Sequence, residues 1–145
     1  MLAAPVARWR PLLWVLAIGL AVTLVGQRVA AEQHKIRACH TGDYLGENKL
    51  IYESASSTKW RLLRTRYRLS PADSSSDHNN IHIAIWKGTK AWGWDSPDNL
   101  LRDFDWHHLR SWNDFRVSKS QNEEDFTNVF DRFGGDPSCT SAMTL

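Results

Sequence analysis

Two stretches decide the fold: KWRLLRTRYRL at 59–69 and NIHIAIW at 80–86. In the first, Leu63, Thr65, Tyr67 and Leu69 alternate with Arg64, Arg66 and Arg68. In the second, Ile81, Ile83 and Ile85 alternate with His82 and Ala84. Strict period-two alternation marks a strand with one face buried and one face wet. KGTK at 87–90 then reads as a tight connection to a further strand, AWGW at 91–94, making a hairpin. These stretches predict a sheet with an aliphatic inner face.

Working outward, Ile36 to Cys39 suggests a short first strand and KLIYE at 49–53 a second, with Thr41-Gly42-Asp43 and Gly46-Glu47-Asn48 as turns. Ser70 to Asn79 reads as a polar loop whose Asp73 and Asp77 lack the ordered spacing of a calcium loop. Ser96, Pro97 and Asp98 carry the signals of a helix start, so a short helical turn through Leu100, Leu101 and Phe104 is expected. WHHLRSW at 106–112 reads as extended, Phe115 to Val117 as a strand fragment, and Ser118 to Asp125 as a polar loop. Phe126 to Phe133 fits either period, and the β-propensity of Phe, Val and Thr favours a strand. About seven or eight short strands separated by turns predict an all-β domain, a small β-sandwich or jelly-roll, with a small open barrel as the alternative.

Residues 1–31 are excluded from that core. Arg8 and Arg10 precede an uncharged run from Pro11 to Gly26, and Val29, Ala30 and Ala31 close it with small side chains, the layout of a secretory signal peptide. Cleavage after Ala31 is expected, because the run falls short of the ~20 apolar residues a membrane span needs. The remaining chain, 32–145, is expected to be a single, secreted, monomeric domain with no membrane association. It carries Cys39 and Cys139, an even pair that exported proteins oxidise, so a disulfide between them is predicted.

Removing the leader changes the charge. Its three arginines, Arg8, Arg10 and Arg28, face no acid, so the formal +2 of the whole chain becomes −1 for 32–145. A near-neutral domain lacks the overall field that collects nucleic acid, and no nucleic-acid partner is expected. The arginines at 64, 66 and 68 could form a row of guanidinium forks for carboxylate, phosphate or sulfate, unless a neighbouring strand supplies acids.

The densest polar cluster is Asp103, Asp105, His107 and His108. Two carboxylates and an imidazole on one face could hold a divalent ion or move protons. Adjacent histidines, however, point to opposite sides of a strand. Neither an HExxH nor a GxSxG pattern occurs. No catalytic residue, metal or cofactor is therefore assigned.

Tryptophan is the clearer excess: six follow the leader, at 60, 86, 92, 94, 106 and 112. A small core holds two or three, Trp60 among them, and the rest are left for the surface. Exposed indoles beside Asp and Asn suit sugar rings, whose apolar face stacks while hydroxyls take the polar groups. The predicted function is non-catalytic binding of a glycan, or alternatively of a protein partner, through Trp86, Trp92, Trp94, Asp95, Asp98 and Trp106. A hydrolase with an Asp/His site is the remaining alternative.

Overall fold

The computed structural model describes residues 30–70, 78–132 and 134–145. The leader reading, apart from Ala30 and Ala31, lies outside these residues, as do the loop carboxylates Asp73 and Asp77 and the last residue of the 126–133 stretch, Phe133.

Eight strands form: β1 (Gln33–Thr41), β2 (Tyr44–Ser54), β3 (Lys59–Ser70), β4 (Asn80–Trp86), β5 (Ala91–Asp95), β6 (Asp103–Ser118), β7 (Glu123–Val129) and β8 (Ser138–Met143). They build two antiparallel four-stranded sheets, ordered β1-β2-β3-β6 and β5-β4-β7-β8. The sheets face one another as a β-sandwich and do not close into a barrel. Ile81, Ile83 and Ile85 all point inward and are buried, as the alternation requires. They meet Leu50, Leu62, Tyr67, Leu69 and Val117 from the first sheet and Phe126 and Met143 from their own.

Several sequence expectations are corrected. In β3 the buried residue is Leu62, not Leu63, because the register slips between Leu62 and Arg64 against β6. Gly46-Glu47-Asn48 is not a turn but the middle of β2. Gly46 lies so close to Asn128 of the opposite sheet that a Cβ there would stand 2.5 Å from its Cγ. Asn48 points inward and donates to Asn128 Oδ1 at 3.0 Å, while Asn128 donates to Cys39 Sγ at 3.3 Å. Gly and Asn here serve packing between sheets rather than a reversal of the chain. Gly46→Ala is accordingly expected to cost ~1–3 kcal/mol by overpacking, seen as a lower denaturation midpoint; an unchanged midpoint would show that the Asn128 amide moves aside freely.

No helix forms among the described residues. The SPDN segment instead spans between sheets: the Ser96 hydroxyl accepts from the Ile81 amide at 2.9 Å, and Leu100 pairs with Asn79. The hydroxyl that would cap a helix caps a strand edge. The three pieces expected between Phe104 and Val117 are one 16-residue strand, β6. The supposed loop residues Glu123, Glu124 and Asp125 belong to β7.

Each open side of the sandwich is fastened differently. On one, Cys39 of β1 and Cys139 of β8 form the predicted disulfide, which fits folding in an oxidising compartment. On the other, aromatic side chains join β5 to β6 without backbone pairing. Trp92 stacks edge-on against Trp112 at 4.8 Å and Phe115 at 5.2 Å between ring centroids. The Arg110 guanidinium sits 4.7 Å from Trp94, 5.1 Å from Trp112 and 5.3 Å from Trp92. Cation–π attraction of this kind strengthens when the cation is partly desolvated.

Candidate functional site

Directly opposed residues of an antiparallel pair share a face. Ile85 opposes Trp92 and Ile83 opposes Trp94, so both indoles share the inner face with the isoleucines. Trp86 has the other parity and opposes Ala91 on β5 and Glu123 on β7, which places it outside. The six residues singled out from sequence therefore do not form one patch. Trp92 and Trp94 belong to the aromatic seam between the sheets. Asp95 is paired with His82, and Asp98 accepts from the Asn80 amide at 3.1 Å. Trp106 lies on the outside of the other sheet, its ring covered by the Lys49 ammonium at 4.4 Å and the Arg68 guanidinium at 4.8 Å.

Trp86 stands open. It is 41% exposed, the largest value for an indole among the described residues. Its ring N–H donates to Asp125 Oδ2 at 3.4 Å, which fixes the plane of the indole. Beside it is a depression of about 350 Å³ lined by Gly88, Thr89, Gln121, Asn122 and Glu123. The floor is rigid: the Asn122 amide donates to the Ser118 carbonyl at 2.6 Å and its oxygen accepts from the Leu145 amide at 2.7 Å. The hydroxyl of Thr89, the amide of Gln121 and the carboxylate of Glu123 bond no other described residue. Gly88 keeps the rim open, since its φ of +95° and the Gln121 oxygen 3.1 Å from a notional Cβ both disfavour a side chain.

Past the indole the next rung carries small side chains on either side of Asp125: Gly93 opposes Ala84, Ala84 opposes Asp125, and Asp125 opposes Ala142. The site thus offers one aromatic face bonded to Asp125, and donors and acceptors along one side. Sequence reading singled out Trp86 but not its neighbours Glu123, Asp125, Gln121 and Thr89. The only signal for the β7 residues is the pairing of Trp86 with Glu123, 37 positions away in the chain.

The Asp103 cluster is less organised. Asp103 and His107 approach at 3.3 Å. The Asp105 amide, donating at 3.1 Å, is the main cause that holds the Asp103 carboxyl below its usual pKa, with the His107 imidazole adding to it. His108 opposes Arg66 on the outer face, whereas His107 faces Tyr67 inside. Among the described residues no three His, Cys, Asp or Glu side chains are grouped so as to hold a metal ion. Comparison with protein families, with curated proteins and with solved structures finds no match.

Proposed function

We propose that the chain is a secreted, non-catalytic carbohydrate-binding protein, with the Trp86 depression as its site. The observation that carries this reading is the open indole face, held in plane by Asp125 beside the free polar groups of Thr89, Gln121 and Glu123. A sugar ring presents apolar C–H groups on one face and hydroxyls around its rim, and this arrangement answers both. Secretion draws support from the leader composition and from the disulfide. Recognition of a protein partner draws support from a different place, the corner where Leu101 and Phe104 project 54% and 74% exposed.

Titration with neutral polysaccharides while following tryptophan fluorescence tests the reading. Trp86→Ala is expected to weaken binding about tenfold or more, equivalent to ~1.4 kcal/mol, with its melting temperature unchanged. Trp92→Ala should instead lower stability, because its ring fills the seam. Loss of binding in Trp92→Ala but not in Trp86→Ala, at temperatures where both are folded, would defeat the assignment.

A further inference from the structure

The outer face of the first sheet carries a second feature, independent of Trp86 and on the opposite side of the sandwich. Antiparallel register places Glu47 opposite Arg68, and the two side chains pair. Glu53 is likewise opposite Arg61 and pairs with it. Arg64 finds Glu32 at 2.5 Å. The neighbouring acids thus cancel most of the guanidinium row. The exception is the central rung, where His108, Arg66 and Lys49 stand abreast on β6, β3 and β2. No acid shares that rung, and Arg66 makes no ion pair or side-chain hydrogen bond to another described residue. Lys49 lies over the ring of Trp106 and forms no ion pair with another described residue.

Like charges directly opposite across strands destabilise a sheet. A rung of bases without an acid is therefore an unfavourable arrangement for the isolated chain, and an anion lying across it removes the repulsion. A shallow depression of about 210 Å³ opens at this place, lined by Glu32, Gln33, His34, Lys49, Ile51 and Arg66. It has the size of one charged substituent with part of a ring, and Ile51 supplies an apolar wall.

We infer that Arg66 and Lys49 form a binding site for a sulfate- or phosphate-type oxyanion carried on a polysaccharide, with the polymer running along the His108–Arg66–Lys49 rung. The guanidinium offers paired N–H donors to two oxygens, and the ammonium serves as a point charge for the third. Nucleic acid is the poorer occupant. Trp106, the indole alongside, already holds Lys49 and Arg68 against its ring, so a base stacking there would compete with both cations.

Chromatography on immobilised heparin tests the site. The parent protein should be retained at about 0.15 M salt and should pass through a desulfated heparin column. The double variant Lys49→Gln/Arg66→Gln should emerge in the flow-through with an unchanged circular dichroism spectrum and melting temperature. Arg64→Gln and Arg68→Gln, which remove charges already met by Glu32 and Glu47, should elute close to the parent. Three results would each overturn the inference: no retention of the parent, equal loss for all the arginine variants, or equal retention on immobilised DNA. Trp86→Ala should keep heparin retention, and the double variant should keep neutral-glycan binding, so the two sites succeed or fail separately.

Discussion

At pH 8.5 and above, Glu124→Gln is expected to unfold well above the parent protein, and near pH 5 the difference should shrink. Glu124 lies on β7 with its side chain inward, opposed by Ile85 on one side and Met143 on the other. It is fully buried, and neither carboxyl oxygen has a hydrogen-bond partner. Burial pushes its pKa up from 4.5 to about 8; the Lys35 ammonium opposes that rise, while Asp125 and Glu123 add to it. Lys35 itself is engaged, donating to the Thr144 carbonyl. The charged form therefore has no hydrogen-bonded partner in the interior, and below about pH 8 the folded protein holds this carboxyl neutral.

The sign follows from the two pKa values. Below the unfolded value of about 4.5 both states are protonated, and the group adds no pH dependence. Between there and about 8, the unfolded chain ionises while the folded one does not, so stability falls as pH rises. The slope approaches ~1.4 kcal/mol per pH unit, and the full window holds at most about 5 kcal/mol. Above the folded value the loss levels off. Gln has the same shape and cannot ionise, so its melting temperature should lack this component. Thermal melts of both proteins from pH 5 to 9 decide the matter, and parallel curves would show that Glu124 is hydrated or paired in the folded state.

Such a residue is invisible to pattern reading. Glu124 sits in SKSQNEED, where composition says loop, and only the pairing of β7 with β4 turns it inward. The isoleucines of β4 were legible because nothing interrupts their alternation. β3 and β6 were half legible: their mutual register shifts at Leu62/Arg64, Thr65/Arg66 and Tyr67/Leu69, and each shift changes which parity faces the core. A reading that assumes one unbroken period places Leu63 inside and breaks β6 into pieces. Gly46, Asn48, Ser96 and Pro97 were misread for another reason. These residue types favour turns and caps because they are small or bond locally, and the same properties suit tight contacts between sheets. The site was legible only as an excess of indoles. Which indole remains open depends on parity within the hairpin, and Trp86 and Trp92 fall on opposite faces because the connection at 87–90 pairs Trp86 with Ala91.

The disulfide carries the other large effect. Cys39→Ala/Cys139→Ala is expected to lose ~4–5 kcal/mol, the chain-entropy value for a loop of this order, since the two cysteines lie 100 positions apart in the chain. Against the ~5–15 kcal/mol that holds a typical domain together, such a loss shifts the denaturation midpoint strongly. The damage should also be local. β1 and β8 lie at the ends of their sheets, each hydrogen-bonded to a single neighbour, and the bridge ties one to the other. At the far side Trp92, Trp112 and Phe115 hold β5 to β6 through contacts the cysteines do not touch. Hydrogen exchange in the double variant should therefore show β1 and β8 losing amide protection first while β3, β4 and β6 keep theirs. The Asn128 amide, which donates to Cys39 Sγ, loses that acceptor and is left with its bond to Asn48. Protection that falls equally in both halves would mean that the two fastenings are coupled through the core, and that the sandwich opens as one unit rather than from its bridged side.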